Sequence, residues 1–345
     1  TTIDLELQMH CEKLMTNKRG VILVGEPLNG GILAAVSSPD YPPDFFTGLI
    51  TESDWNDIRT NPDKPLINRY IQGKYIPGSI VKMITQIALL KSQNFNKEVK
   101  QYCPGFYQYG DRIFGCWHTE GHGELNVTEA IAVSCDVYFY KTVKQLNLKD
   151  LNKTFYDFGF GQKTKIDIPN ETVGLVPDSD YMRKRYGKYG WSRGVLLNLA
   201  IGQGELLVTP MQVLNYVNLL ATKGKAPNCH FVFVDNLPLN TSPNLEDQIW
   251  ENVHKGMRDA IISKNGTGKR ADINLTGFDI YGKTGTAENP HGDNHAWFVG
   301  WADYNSEKYS IVILLENAGS GGTVAAPMAK KVFSKLILDN DFVSR

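Results

Sequence analysis

Residues 75–90 read YIPGSIVKMITQIALL, and the interpretation of the chain starts there. Pro77 and Gly78 interrupt whatever precedes them, and from Ser79 to Leu90 strong helix formers and apolar side chains run on without a break. Ser79 is therefore expected on the first turn of a helix, with Lys82 one turn along on the same face. Ile80, Met83, Ile84, Ile87, Ala88 and Leu90 cover most of the helix circumference, which predicts a buried helix. Burial strips water from the Lys82 amine and favours its neutral form. Such an amine could take a proton from Ser79, while the helix N-terminus favours the serine as a nucleophile. The pattern S-x-x-K is short, and average composition gives about one chance match in a chain of this length, so its weight depends on context.

The 345 residues carry a formal net charge of −1 and the composition of an ordinary globular protein. Near-neutrality gives no support to nucleic-acid binding, and no basic run or basic amphipathic helix argues for a membrane surface. The opening residues, TTIDLELQMH, are acidic and amphipathic rather than a signal peptide, and no stretch is long and apolar enough for a transmembrane helix. They read like the interior of a longer protein whose anchor and pedestal regions lie outside this chain. Five cysteines (Cys11, Cys103, Cys116, Cys135, Cys229) are too few, at this length, for a disulfide framework.

Along the chain, residues 4–18 form an amphipathic helix, and residues 20–38 are two apolar runs joined at Asn29-Gly30, a hairpin signal. Residues 39–75 read as a long irregular connection with a short helical patch near Trp55, suited to a groove wall or lid. Thr128 is expected to cap one helix through residue 146, and residues 148–161 give a shorter helix ended by glycine. Residues 181–194, YMRKRYGKYGWSRG, read as a solvated loop. Thr209-Pro210 opens a further helix, and Asp247 to Ser263 is amphipathic. FDIYGKTGTAE, HAWFVGWAD and KYSIVILLEN are strands, followed by a closing helix from Thr323. The expected fold is mixed α/β (α+β): a five-stranded antiparallel sheet between helices, with helices from both chain ends on one face and central helices on the other. A mostly helical subdomain (about 41–234) is inserted between strands two and three of a sheet-containing subdomain (about 1–40 and 235–345). Together they make one domain.

Two more patterns give Ser79 and Lys82 their context: Ser134-Cys135-Asp136 on a helix flank, and Lys283-Thr284-Gly285-Thr286 on a strand. Alone, Ser134 reads as a helix serine bonding its own backbone, and Lys283 as a solvated strand lysine. Together and in order they supply what attack on an amide carbonyl requires. Ser79 and Lys82 form an activated nucleophile, Ser134 relays a proton to the leaving amine, and Lys283, Thr284 and Thr286 hold a substrate carboxylate. Gly285 permits close approach on an edge strand. The backbone N–H groups of Ser79 and Thr286 are the candidate oxyanion hole.

Ser79 to Lys82, Ser134 to Asp136 and Lys283 to Gly285 resemble the S-x-x-K, S-D-N and K-T-G signature of penicillin-binding proteins and serine β-lactamases. With YIPGSIVK, AIGQGELLVTPMQ, GKTGTAE and HAWFVGWAD, the chain looks like the transpeptidase domain of a class B penicillin-binding protein, most similar to the elongation-type (rod-shape) enzyme. The resemblance spans nearly the whole chain. It implies the serine β-lactamase/D,D-peptidase fold and a D,D-transpeptidase that cross-links peptidoglycan stem peptides through a serine acyl-enzyme. It also implies β-lactams as covalent inhibitors, glycosyltransferase and cell-shape scaffold partners, a place at the periplasmic face of the inner membrane, and no cofactor for the chemistry. A β-lactamase, a D,D-carboxypeptidase, a β-lactam sensor and a non-catalytic scaffold are the alternatives. Asp136 departs from the asparagine of the general motif. An ionised carboxylate accepts without donating and can pair with Lys82, keeping it protonated, so the acceptor of the Ser79 proton stays open.

Cys103, Cys116, His122 and Cys135 are spaced C-x12-C-x5-H-x12-C, and three thiolates with one imidazole match a closed tetrahedral zinc set. The spacing lacks the short C-x-x-C pairs of strong zinc signals. His118 is the alternative nitrogen ligand. Buried cysteines acting as small hydrophobes, or a Cys103–Cys116 disulfide, are the other readings. The resemblance favours zinc, since some elongation-type members hold a metal in this region. A metal on Cys135 would pin the residue between Ser134 and Asp136.

Overall fold

The computed structural model describes residues 1–187, 190–233, 239, 243–289 and 292–343, the side chains of 338–343 excepted. Strands β1 (Gly20–Gly25) and β2 (Ile32–Ser38) form the expected hairpin. Four short strands follow, β3 (Gln101–Cys103), β4 (Phe106–Tyr109), β5 (Arg112–Gly115) and β6 (Gly123–Leu125), and then three long ones, β7 (Phe278–Ala287), β8 (His295–Tyr304) and β9 (Glu307–Leu315). The central sheet has the order β2-β1-β9-β8-β7 and is antiparallel throughout. Its β7 edge carries Lys283 to Thr286.

Both faces of the sheet are covered, which explains why its central strands β1 and β9 carry continuous apolar runs rather than alternating ones. Period-two geometry sends Ile22, Val24, Ile311 and Ile313 to one face, where Leu7, Cys11 and Met15 of the N-terminal helix and Val332, Phe333 and Leu336 of the C-terminal helix cover them. Val21, Leu23, Val312 and Leu314 face the other core, built on helices Lys82–Leu90, Pro210–Ala221 and Asp247–Ile262. Thr209 caps the second of these with a full capping box and Pro210 in its first turn, as its sequence predicts.

Three local expectations change. The cap before residue 127 is Asn126, not Thr128: its side chain accepts from the Glu129 N–H, and the Glu129 carboxylate accepts from the Asn126 N–H. The helix it opens ends at Ala132, and a second helix starts at Asp136. Residues 181–186 of the expected solvated loop belong to a helix, Ser179–Tyr186, capped by Asp178, because the basic run also holds good helix formers; Lys188 and Tyr189 lie outside the described residues. The subdomain boundary expected near residue 235 also lies outside them. The 39–75 connection contains helix Glu52–Thr60 and the short turns Pro43–Phe46 and Arg69–Gln72. Arg69 is buried and bonds the carbonyls of Asp63 and Lys64 and the Glu316 carboxylate. No helix among the described residues is long and apolar enough to cross a membrane.

His254 rests against the rings of Trp301 and Tyr281 and donates from Nε2 to the Leu220 carbonyl at 2.8 Å. Burial holds its pKa below the usual histidine value, the Leu220 bond opposing in part, and burial lowers His295 likewise. The unfolded chain therefore gains these protons at a higher pH than the folded chain. Their contribution to stability is full above the unfolded histidine value, about pH 6.5, and is lost as pH falls through it. Urea unfolding at about pH 7.5 and about pH 5.5 should show acid destabilisation, with a smaller drop in His254→Gln, whose amide keeps a donor toward Leu220.

Candidate active site

Ser79 sits in a 3₁₀ turn, Gly78–Val81, that runs directly into helix Lys82–Leu90. The approach to the turn is held on several sides. Tyr75 and Val208 exchange backbone hydrogen bonds at 2.9 Å, the Trp297 indole donates to the Ile76 carbonyl at 3.1 Å, and the Tyr75 hydroxyl donates to Glu316 at 2.7 Å. Gly78 has φ +58°, and its N–H donates to the Gly202 carbonyl at 2.9 Å. A Cβ on Gly78 would stand 2.7 Å from the Thr286 carbonyl oxygen, and one on Gly202 2.1 Å from that of Gly78. The serine turn is thus wedged between the edge strand and the turn after helix Gly194–Ala200.

Lys82 has no solvent exposure, and its ammonium is met by three acceptors: Asp136 Oδ1 at 2.8 Å, the Ser134 carbonyl at 2.8 Å and Ser134 Oγ at 3.3 Å. An ammonium has three donors, and all three are used. The second Asp136 oxygen accepts the Trp117 N–H at 3.1 Å. Of the two arrangements the sequence leaves open for Lys82, a neutral buried amine or a partner of Asp136, the structure has the ion pair, with Asp136 reaching it from a distant segment.

Ser134 can present both its carbonyl and its hydroxyl because the helix breaks there. Cys135 N–H bonds the Ala130 carbonyl at 2.9 Å and Ser134 N–H bonds that of Ile131 at 3.1 Å, with Ser134 at φ +56°. This is a Schellman ending with serine in the left-handed position that glycine usually takes. Left-handed backbone at a non-glycine residue is strained, and such strain concentrates at functional sites.

On β7, Thr284 and Thr286 share one side, and both line the cleft that contains Ser79. Thr284 Oγ1 donates to Thr267 Oγ1 at 2.8 Å. The Thr286 carbonyl accepts from Gln203 Nε2 at 3.3 Å, so it is directed away from β8. In an antiparallel strand the N–H of a residue shares the side of its own carbonyl, so the Thr286 N–H also faces outward. Lys283 is wholly buried, is not among the residues lining the cleft, and donates to the Thr284 carbonyl at 3.0 Å. Burial and the nearby Lys82 charge push its pKa well down, with Asp136 opposing. Gly285 lets the strand lie against the serine turn: a Cβ there would stand 2.8 Å from Ile80 Cγ2. The cleft has a volume of ≈ 760 Å³.

Residues 20–334 match the family described as penicillin binding protein transpeptidase domain. The chain belongs to this family. It is 31% identical to the peptidoglycan D,D-transpeptidase MrdA of Haemophilus influenzae over 96% of this chain and 55% of that protein. The penicillin-binding protein PBP2 of Helicobacter pylori in complex with MreC is similar at 36% identity and a TM-score of 0.91, over 97% of this chain and 63% of the other. Pseudomonas aeruginosa PBP2 in complex with WCK 5153 matches at 33% identity and a TM-score of 0.89, over 98% of this chain and 78% of the other. The chain spans about half the length of the curated relatives it matches.

In this member of the family, Cys103, Cys116, His122 and Cys135 converge, their donor atoms all within 4.8 Å of one another. His122 Nδ1 lies 3.7 Å from Cys103 Sγ and 3.6 Å from Cys116 Sγ. A zinc tetrahedron with bonds of about 2.0–2.3 Å places its ligands roughly 3.5–3.8 Å apart, so the set fits the ion in donor type and spacing. All five cysteines are free thiols, which removes the Cys103–Cys116 disulfide. The His118 ring lies tilted against that of His122, 5.0 Å between centroids, and is outside the set. Hydrogen bonds to the Cys116 sulfur from the Cys135 thiol, His122 and the backbone N–H groups of His118 and Asp136 push its pKa down against burial, and the same bond together with burial pushes Cys135 up.

Three cleft residues escape sequence reasoning: Gln203, Asn198 and Trp117. Gln203 lay within AIGQGELLVTPMQ, but nothing local ties it to Thr286. Trp117 acts through its backbone, which composition does not reveal. Gly202 tests the wedge around Ser79. Gly202→Ala should cost roughly 2 kcal/mol or more of stability, whereas Gly204→Ala, also at positive φ but with its nearest neighbour at 3.4 Å, should cost about 1 kcal/mol. Urea denaturation of both variants makes the comparison.

Proposed function

We propose that the chain is the acyl-transfer domain of a peptidoglycan D,D-transpeptidase. The observation that carries this reading is the Lys82 ammonium held by Ser134 and Asp136 beneath a cleft that Ser79, Thr284 and Thr286 line. Ser79 Oγ attacks the penultimate D-alanine carbonyl of a stem peptide. Its proton passes through the Lys82–Ser134 pair to the departing D-alanine amine, leaving a Ser79 ester. The amine of a second stem then attacks that ester. Its surplus proton returns through the same pair to Ser79, and an amide cross-link is released.

In this reading the Ser79 and Thr286 N–H groups receive the oxyanion, supported by the outward-facing Thr286 carbonyl and its contact with the serine turn. Thr284 and Thr286 hydroxyls bind the terminal carboxylate. Lys283, from beneath the strand, supports this segment through its bond to the Thr284 carbonyl. β-Lactams present an amide and a carboxylate to the same groups. The whole protein works at the periplasmic face of the inner membrane with a cell-shape scaffold protein and a glycosyltransferase, in keeping with the MreC complex of the H. pylori relative. Residues 1–345 serve it as a single domain, a sheet-containing part with a mostly helical insertion.

Mass spectrometry of the protein with a penicillin tests the reading. One adduct on Ser79, stable for hours and absent from Ser79→Ala, is expected. Rapid loss of the adduct would indicate a hydrolase instead, and no adduct on the native protein would refute the active serine.

Zn²⁺ held by Cys103, Cys116, His122 and Cys135 completes the proposal as a structural ion. It would supply a rigid anchor at Cys135, whose neighbours are the two residues that hold Lys82. Fresh protein should contain one equivalent of zinc, and a chelator should lower the melting temperature and the acylation rate together. Metal analysis that finds no zinc would sink this part.

A further inference from the structure

Glu316 follows directly on β9 and is not among the residues that line the cleft. Its Oε1 accepts from the Tyr75 hydroxyl at 2.7 Å and from Arg69 Nε at 3.0 Å, and its backbone N–H donates to the Arg19 carbonyl at 2.8 Å. Tyr75 belongs to the short run that leads into Ser79. Its ring stands nearly perpendicular to those of His295 and Trp297, with centroids 5.8 and 6.1 Å away, and covers Gly73, where a Cβ would stand 2.4 Å from Tyr75 Cε2. Burial, and after it the Glu316 charge, push the phenol's pKa up, so the hydroxyl stays a donor. The chain beyond Glu316 also reaches the strands beside the cleft. The Asn317 N–H donates to His295 Nδ1 at 3.1 Å, and the Gly321 N–H donates to Thr286 Oγ1 at 3.4 Å.

Two roles are open to this carboxylate. As the counter-charge of Arg69, which is buried and also bonds the carbonyls of Pro39, Asp63 and Lys64, it would serve stability alone. The Tyr75 bond adds something different, because it ties the chain just ahead of the serine turn to the end of a central strand. A hydroxyl bound to a carboxylate is short and directional, and Arg69 on the same oxygen fixes where that carboxylate points. We infer that Glu316 is a positioning residue for Ser79, acting through the Tyr75 hydroxyl to hold the serine turn in the pose from which Ser79 attacks. This rests on the reading of Ser79 as the acyl-transfer nucleophile. Neither Tyr75 nor Glu316 lines the cleft, so the pair acts on the geometry of attack and not on ligand affinity. Misplacing a reacting group by about 1 Å costs on the order of 10²-fold in rate. The backbone bonds of Tyr75 to Val208 and the Trp297 bond to Ile76 remain when the hydroxyl is removed, which sets the expected loss lower, at roughly tenfold.

Stopped-flow acylation by a chromogenic cephalosporin, over a range of concentrations, separates the dissociation constant of the noncovalent complex from the acylation rate constant. Tyr75→Phe removes the hydroxyl and leaves the pair of Arg69 and Glu316 in place. It should lower the rate constant roughly tenfold with the dissociation constant unchanged. Glu316→Gln, whose amide oxygen still accepts from the phenol, should keep most of the rate that Glu316→Ala loses. Adding Tyr75→Phe to Glu316→Ala should cost nothing further, because both act through one bond. Thermal melting separates the Arg69 role, which lowers the melting temperature of Glu316→Ala and not of Tyr75→Phe. If Glu316→Ala does not fold, Tyr75→Phe still decides. A native rate constant in Tyr75→Phe, a loss confined to the dissociation constant, or losses that multiply in the double variant would overturn the assignment. Backbone hydrogen exchange gives a reading that does not depend on acylation. Tyr75→Phe should speed exchange across residues 78–82 roughly tenfold and leave helix Pro210–Ala221 unchanged, and native exchange at the serine turn would overturn the assignment too. Faster exchange there in a protein that the cephalosporin does not acylate would support Glu316 as the anchor of the turn and remove only the acyl-transfer reading.

Discussion

Burying the Lys82 ammonium constrains everything around it. Taking an ion out of water costs on the order of several kcal/mol even after the protein relaxes, and the cost is offset only when its donors are matched and a counter-charge is close. Lys82 meets both conditions with two residues of one short segment. The carbonyl and hydroxyl of Ser134 must face the same nitrogen, so the chain turns left-handed there and the helix ends. Asp136 must then begin a new helix, where its carboxylate meets Lys82 and also benefits from the N-terminal end of that helix.

The nucleophile is fixed by steric fit as much as by hydrogen bonds. Gly78, Gly202 and Gly285 remove the side chains that would keep the serine turn, the turn after residue 200 and the edge strand apart. The strand can then offer an outward N–H and two hydroxyls to the cleft while its lysine stays in the interior. A strand alternates its faces, so Lys283 cannot share the side of Thr284 and Thr286. The Cys/His cluster lies next to this assembly through Cys135, which caps the Asp136 helix by accepting the Tyr138 N–H.

Much of the fold was legible in the residues. The Asn29-Gly30 turn, the Thr209-Pro210 cap and the three late apolar runs each carry a local signal, and each forms the expected element. The break at Ser134 was not legible, because a serine replaces the glycine that normally announces such an ending and apolar residues continue through it. The basic run at 181–186 misled for the opposite reason, since charge marks exposure and exposure is compatible with helix. At the site, Ser79, Lys82, Ser134 and Asp136 were named from motif and order, and the structure brings Lys82, Ser134 and Asp136 into direct contact. Lys283 was given a direct hold on substrate, whereas its place beneath the strand depends on which face of β7 turns inward.

The sequence by itself determined the local elements, their order and the chemistry of the side chains, because caps, turns and apolar period act over a few residues. It also determined that an acid rather than an amide stands at position 136. Only the tertiary structure decided which strand edge meets the serine turn and which lysine is caged at the cleft floor while the other lies beneath the strand. Those outcomes depend on contacts between residues tens to hundreds of positions apart, where burial and charge pairing set the balance and no short-range pattern records it.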